Sequence, residues 1–291
     1  MQSEQRNEHL VSITPAELPK VVWHAIIGRM TSVVELIKAY KSRPIPTEEA
    51  LRSSSSASIS IDEVELVASE IDQEPLIPVG SVGLLSRDYY FHFVEERLNP
   101  TSAEYKRIRP LVTEDVYLRR SVALDLRAID EQLTHCGLRL FLLSGYRSHL
   151  LQRAIRAVSE RQRGKEKTEY MLADPDRHAP HSTGAAFDVE LRSSSGGLVE
   201  TKVPGDPEAF ETARLERMTP IPEALVKVRD NRRVLFHALT AGELHPTGTK
   251  FISNPKEYWH FGRNEKLSAA IALSQGQKHQ AFYPEIPDAF S

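Results

Sequence analysis

One stretch, residues 177–191 with the sequence RHAPHSTGAAFDVEL, constrains the fold of this chain more than any other. His181 and Asp188 lie seven residues apart, separated by Thr183 and Gly184 and by a short apolar run that is typical of a strand. Glycine reaches backbone angles closed to other residues, so the chain can bend between the two side chains. A neutral imidazole and a carboxylate are both good zinc ligands, and a catalytic zinc site needs three ligands and one open position. The pair therefore predicts a strand beside a loop, with a third ligand supplied from elsewhere.

A second stretch, NPKEYWHFG at residues 254–262, offers Glu257 and His260. Residues three apart lie on opposite faces of a regular strand, so we expect a bulge or a strand end after Pro255. That geometry can put the imidazole on zinc and leave the carboxylate close enough to take a proton from the zinc-bound water. Taken alone, the stretch is better explained by an edge strand that has a surface glutamate and a histidine buried under Trp259.

Arg147 is the third candidate, in the turn SGYRS that follows the apolar strand-like run at residues 138–143. A planar guanidinium that is always charged suits a developing oxyanion at a peptide carbonyl or a substrate carboxylate. His149 and His178 are competing candidate ligands, but neither has a spacing partner that improves the set.

Composition excludes several kinds of partner. The 291 residues are 40% hydrophobic and 26% charged, which indicates a soluble globular protein with a sizeable core. A net charge of −3 removes the electrostatic argument for nucleic acid or an anionic membrane, and we expect neither. The single cysteine, Cys136, excludes an intrachain disulfide and a cysteine-rich zinc site. The N-terminus lacks a basic start followed by an apolar run, so the sequence predicts a cytoplasmic protein.

The chain divides into three predicted parts. Residues 1–75 are expected to form an N-terminal helical extension and linker, because a helical pattern at 21–40 is followed by a segment rich in proline and serine. Residues 76–275 are expected to form the zinc-site domain, and residues 276–291 a C-terminal coil.

The zinc-site domain has the pattern of an α+β fold, a central and mostly antiparallel sheet that carries the zinc site and is flanked by helices. Apolar residues at helical spacing predict one helix between Thr113 and Gly137, one that leaves Ser148, and one from Pro222 to Gly242.

The three boxes SGYRS, HSTGAAFD and EYWHF, in this order, resemble the zinc D-alanyl-D-alanine peptidase family. The family pattern S-x-H-x-x-G-x-A-x-D, followed by E-x-W-H, maps without gaps from its histidine onward, and the resemblance spans roughly residues 110–265. One position departs, since Ala179 stands where the family has serine. The matched positions are His181, Gly184, Ala186, Asp188, Glu257, Trp259 and His260.

The resemblance implies a role for each candidate residue. His181, Asp188 and His260 would hold one Zn²⁺ per chain, Glu257 would be the general base that activates a zinc-bound water, and Arg147 would stabilise the transition state. The implied substrate is a small peptide of the D-Ala-D-Ala type.

Two features point to different branches of the family. The aromatic Tyr258 between Glu257 and Trp259 is similar to the dipeptidase branch, whereas Gln152 after SGYRS is similar to the carboxypeptidase branch. We expect a D,D-dipeptidase. The alternatives are a D,D-carboxypeptidase acting on peptidoglycan stem peptides and a zinc-binding module on the same scaffold that has lost catalysis.

Overall fold

The computed structural model describes residues 32–47, 50–51, 59–67, 74–176, 178–203 and 211–286. Within these ranges the chain has the mixed α+β composition that the sequence predicts. None of the described helices combines the length and the hydropathy of a membrane-spanning segment. The helices are α1 (Val33–Ser42), α2 (Tyr89–Arg97), α3 (Ala103–Ile108), α4 (Arg120–Thr134), α5 (His149–Arg163), α6 (Lys165–Met171), α7 (Glu223–Thr240) and α8 (Lys266–Ser274). The strands are β1 (Leu76–Pro78), β2 (Leu85–Ser86), β3 (Tyr117–Arg119), β4 (Leu138–Ser144), β5 (Ala186–Ser193), β6 (Ile252–Ser253) and β7 (His260–Gly262).

The larger sheet has five strands in the order β2-β4-β5-β7-β6, and β1 pairs with β3 in a separate sheet. The larger sheet is mixed, because β2 is parallel to β4 whereas the three other pairings are antiparallel. β5 lies in the middle, between β4 and β7. A side chain on β5 can therefore meet residues from both neighbours.

The main hydrophobic core joins the larger sheet to helices α4 and α7. Leu126, Ile129 and Leu133 are fully buried on one face of α4, as the helical spacing predicts. Phe187 on β5 meets Phe251 edge to face, with ring centroids 5.1 Å apart. Burial of each such side chain stabilises the fold by about 1.5–3 kcal/mol, so β5 is held firmly by its surroundings.

The predicted start of the helix after Thr113 is wrong. Residues 117–119 form β3, which pairs antiparallel with Leu76–Pro78, and the helix begins only at Arg120. The pairing partner lies about 40 residues earlier in the chain, so a pattern of local spacing does not reveal it. The pairing of this short strand with β1 fixes where α4 begins.

Helix α1 belongs to the extension predicted for residues 1–75. Ser32 and Glu35 form a reciprocal capping box at its start, and Tyr40 near its end is part of the main core, where α1 packs along α7. The part of the predicted helix before Ser32 and the serine run at 53–56 lie outside the described residues. The division of the chain near residue 75 stays a proposal.

A second apolar cluster joins α2, α3 and α5, with Val94, Ile108 and Val158 buried at its centre. Ser148 caps α5 by accepting the N–H of Leu151, so this helix leaves Ser148 as predicted. Since α5 directly follows the SGYRS turn, this cluster forms one wall beside that turn.

Candidate metal centre and active-site cavity

Three separate parts of the chain meet around Asp188 on β5. Asp188 is directly opposite His260 on β7 and opposite Ser144 at the end of β4. Directly opposed side chains of antiparallel strands lie about 4.5–5.5 Å apart. The register of β4 against β5 shifts between Leu142 and Ser144, and the chain then enters the turn that carries Arg147. The sheet register therefore brings the three sequence boxes to one place.

His181 lies in a short 3-10 helix, Pro180–Thr183, and its side chain is buried. Gly184 ends this helix with φ 67°, a left-handed conformation that L side chains rarely adopt. A Cβ atom at Gly184 would lie 2.6 Å from Leu76 Cδ2, so the Leu76 side chain would have to shift to admit it. The bend that the sequence predicts between His181 and the strand is therefore built on this one residue.

One hydrogen bond fixes which ring nitrogen His181 presents to its neighbours. His181 Nδ1 donates to the Gly145 carbonyl oxygen at 2.7 Å. Because a carbonyl oxygen only accepts, the proton is on Nδ1 and the lone pair is on Nε2. Nε2 faces Asp188 and His260, and an imidazole whose other nitrogen is held in this way is typical of a metal ligand.

The atoms of the three residues are spaced as the ligands of one small cation. His260 Nδ1 lies 3.1 Å from both His181 Nε2 and Asp188 Oδ1, and His181 Nε2 lies 3.5 Å from Asp188 Oδ1. Ligands about 2.0–2.1 Å from a tetrahedral zinc ion are separated by about 3.3 Å. Among the described residues, His181, Asp188 and His260 form the group of histidine, cysteine or acidic side chains that lie close enough together to hold a metal ion. The residues thus fit zinc in both chemistry and spacing.

Two of these side chains are in the protonation states that bind a metal. Burial and the nearby Arg147 guanidinium lower the pKa of His181 to about 4, so its ring is neutral. Burial alone would raise the pKa of Asp188, but the Arg147 guanidinium and the donor His260 hold that pKa well below its usual range. At neutral pH the pair offers a free nitrogen and an ionised carboxylate, as a metal site requires.

Glu257 lies just outside this cluster. β7 begins at His260, so Glu257 is in the preceding turn, which agrees with the strand end expected there. Its Oε2 lies 3.8 Å from His260 Nδ1 and accepts a hydrogen bond from Asn254 Nδ2 at 3.4 Å. Burial raises the pKa of Glu257 to about 7, which suits a group that takes and returns a proton near neutral pH.

Arg147 is buried beside Asp188, with only 6% of its surface exposed. Its Nη1 donates to Tyr90 Oη at 3.0 Å and to Gln152 Oε1 at 3.3 Å, and its Nη2 donates to Asp188 Oδ2 at 3.4 Å. Among the described residues its Nε has no hydrogen-bond partner. A held guanidinium with one unused donor can bind an anionic group.

The two competing histidines lie outside the cluster. His178 Nδ1 donates to Glu285 Oε1 at 3.1 Å, and His149 Nε2 lies 2.9 Å from Glu285 Oε2. The structure therefore separates these two rings from the three-residue group.

The cluster, Glu257 and Arg147 all line one cavity of about 900 Å³. Tyr89, Tyr90 and Phe93 of α2 also line it, so part of the aromatic run at residues 89–93 forms its wall. Apolar residues of α5 continue the wall away from the metal cluster, among them Ile155 and Val158. Such a cavity, mostly apolar with a few convergent polar groups, is typical of a ligand site.

Sequence reasoning did not identify Asn254 and Glu285 as part of the site, and it assigned Tyr90 to an aromatic cluster of the core with a substrate wall as the alternative. Tyr90 and Glu285 reach it only through tertiary packing, and no local spacing indicates either. Asn254 could have been found, because an asparagine directly before a proline favours the start of a turn. Such a turn places the asparagine near the side chain of Glu257, three residues later.

Comparison with known proteins gives one family match and several structural likenesses. A family model described as D-alanyl-D-alanine carboxypeptidase (VanY) matches residues 115–214, which include His181 and Asp188. The chain is similar to a vancomycin-resistance D,D-dipeptidase, VanXYg, solved in complex with a D-Ala-D-Ala phosphinate analogue, at 19% identity and a TM-score of 0.31 over 69% of this chain and 71% of that one. It is also similar to the LD-carboxypeptidase LdcB, at 19% identity and a TM-score of 0.32 over 78% of this chain and 94% of that one. No curated protein matches the chain.

Proposed function

We propose that this chain, which resembles the zinc D-alanyl-D-alanine peptidase family in sequence, is a zinc-dependent peptidase that cleaves a bond of the D-Ala-D-Ala type. The family match supports a D-alanyl-D-alanine peptidase. The observation that carries the zinc dependence is the mutual spacing of His181 Nε2, Asp188 Oδ1 and His260 Nδ1, between 3.1 and 3.5 Å. These three atoms would hold the ion. Zinc in such a site supplies Lewis-acid polarisation of the substrate carbonyl and lowers the pKa of water.

Glu257 is the residue that moves the proton. Its carboxylate is beside the metal ligands without belonging to the cluster, and burial raises its pKa to about 7. In its ionised form it accepts a proton from the attacking water, and as an acid it returns that proton to the leaving amine. The hydrogen bond from Asn254 keeps Oε2 in place for both transfers.

Arg147 binds the negative charge that develops on the substrate. Tyr90 and Gln152 hold its Nη1, so the guanidinium is already oriented before substrate enters. A preorganised donor of this kind stabilises the charged transition state more than the neutral ground state, which is the requirement for faster turnover.

The substrate that the sequence favours is a free D-Ala-D-Ala dipeptide. The size of the cavity favours a second candidate, a carboxypeptidase that removes the last residue of a longer peptide. About 900 Å³ is near the upper end of the range that encloses drug-sized ligands, far more space than one dipeptide needs.

Release of D-alanine tests both candidates. The zinc-loaded protein is given free D-Ala-D-Ala in one assay and an N-terminally blocked pentapeptide that ends in D-Ala-D-Ala in the other. Faster release from the dipeptide supports the dipeptidase, and faster release from the pentapeptide supports the carboxypeptidase. Release from neither substrate, by protein shown to contain zinc, would contradict the proposed function and leave the non-catalytic zinc module.

A further inference from the structure

The C-terminal segment, residues 281–286, crosses the outer side of the loop that carries His181. Ile286 N donates to Ser182 O at 2.8 Å, within the 3-10 helix of the metal ligand. This segment falls in the part of the chain predicted as coil, and it lies outside the residues that the family model matches. The segment also lies outside the three boxes SGYRS, HSTGAAFD and EYWHF that carry the resemblance.

Glu285 makes the most direct of these contacts. Its Oε1 accepts the backbone N–H of Ala179 at 3.0 Å and the Nδ1–H of His178 at 3.1 Å. Its Oε2 lies 2.9 Å from His149 Nε2. Burial would raise the pKa of Glu285, but the bonds from His178 and Ala179 lower it to about 2, so the carboxylate is charged at neutral pH.

Ala179 occupies the N-cap position of this 3-10 helix, and no side chain within the helix accepts its backbone N–H. In a capping box a glutamate carboxylate accepts this same N–H. Glu285 brings a carboxylate oxygen to the Ala179 N–H from more than 100 residues away. On the inner side, Gly145 O holds the ring of His181, so the loop is fixed from two directions.

The segment is itself anchored by a buried arginine. Arg119 Nε donates to Thr183 O at 2.9 Å, and Arg119 Nη2 donates to Pro284 O at 3.2 Å. The Arg119 guanidinium also lies over the ring of the buried Tyr283, 5.6 Å from its centroid. One side chain thus ties the ligand loop and the C-terminal segment together.

We infer that Glu285 is a positioning residue for the metal site: by binding Ala179 N–H and His178, it holds the loop so that His181 Nε2 points at Asp188 and His260. The inference rests on the proposed zinc site. Partners that orient a metal ligand change metal affinity by about 10–100-fold when removed. We expect zinc binding, and not only turnover, to depend on Glu285.

The test measures zinc affinity by competition with a chromogenic chelator. Glu285→Ala is expected to bind zinc about tenfold or more weakly than wild type. Glu285→Gln keeps an acceptor oxygen for the Ala179 N–H and is expected to fall between the two. Glu131→Ala is the matched control, since Glu131 is exposed on α4 and forms an ion pair with Arg127 of the same helix, so the zinc affinity of this variant should equal that of wild type.

Equal zinc affinity in wild type and Glu285→Ala would overturn the positioning role while leaving the proposed function intact. Wild-type protein that binds no zinc would instead overturn the proposed function, and this inference with it. If circular dichroism shows that Glu285→Ala does not fold, Glu285→Asp decides. Aspartate keeps the negative charge, but its side chain is one methylene shorter and its carboxylate lies farther from the Ala179 N–H. Unchanged zinc affinity in Glu285→Asp would overturn the inference.

Discussion

Two carboxylates at the site have opposite environments, and this difference separates their tasks. The Arg147 guanidinium and the donor His260 lie beside Asp188 and keep its pKa well below its usual range, although burial acts the other way. Burial dominates at Glu257 and raises its pKa to about 7. Carboxyl groups whose pKa values are pushed apart by their surroundings can act as a fixed anion and as a proton carrier. Asp188 fits the first task and Glu257 the second.

Replacing Glu257 with alanine is expected to lower kcat by about 10²–10⁴-fold, the usual contribution of a general acid–base group, while zinc content stays at the wild-type level. His181→Ala is the comparison, because loss of a ligand should remove both zinc and turnover. Zinc content is measured by atomic absorption and turnover by D-alanine release. Full activity in Glu257→Ala protein would show that another group is the base.

Replacing Arg147 with lysine keeps the positive charge but removes the planar fork that bonds Tyr90 and Gln152. We expect kcat to fall by about 10²-fold or more, the effect of losing one preorganised oxyanion donor. Steady-state kinetics with the better of the two substrates measures it. An unchanged kcat with a raised KM would mean instead that Arg147 binds the substrate equally in its ground and transition states.

Short segments position the site, and they differ in how far the sequence reveals them. The strand end before His260 and the bend at Gly184 follow from local rules, because residues three apart cannot share a strand face and a tight bend needs glycine. β3 does not, since three residues become a strand only through pairing with β1. The sequence does not reveal the C-terminal contacts of Glu285 either, because they also depend on residues far away in the chain. Local sequence rules thus predict the candidate ligands and the backbone bends beside them. Contacts between distant parts of the chain determine which residues hold those ligands in place.

Gly184→Ala tests the bend. Alanine at φ 67° is strained and its Cβ would meet Leu76, so we expect a loss in the free energy of unfolding of about 1–3 kcal/mol and weaker zinc binding. Gly248→Ala is the matched control, because Gly248 has a similar φ of 73° but nothing within 4 Å of its Cβ position. Urea unfolding of both variants measures the difference. Equal losses in the two would show that the contact with Leu76 contributes nothing.

The start of α2 gives a prediction on pH. Asp88 caps this helix by accepting the Phe91 N–H at 2.9 Å, and burial raises its pKa to about 6. The folded-state pKa of Asp88 is above its unfolded value near 3.8. Its contribution to stability is therefore fully present below pH 3.8 and is lost as the pH rises through 6. Asparagine caps equally well without a charge. Asp88→Asn should therefore be more stable than wild type at pH 8, by roughly 1–3 kcal/mol.

Urea unfolding at pH 5 and pH 8 checks the Asp88 prediction. The difference in unfolding free energy between variant and wild type should grow from the lower to the higher pH. A difference that stays constant would mean that Asp88 is not the group responsible.

The fold brings Arg147 after β4, Asp188 on β5 and His260 on β7 onto one cavity, although the first and last of them are more than 100 positions apart in the chain. The sequence predicts the α+β class and the three candidate ligands together with Glu257 and Arg147, because ligand chemistry and the resemblance restrict which side chains can share an ion. It does not predict the large cavity, which depends on how α2 and α5 stand beside the sheet.

A crystal of the zinc-loaded protein, with anomalous diffraction recorded at the zinc absorption edge, tests whether the three side chains share a cation. We predict one anomalous peak per chain, bonded to His181 Nε2, Asp188 Oδ1 and His260 Nδ1, with Glu257 close by and not bonded. A peak at any other position, or no peak from protein soaked in zinc, would contradict the metal site and the peptidase built on it.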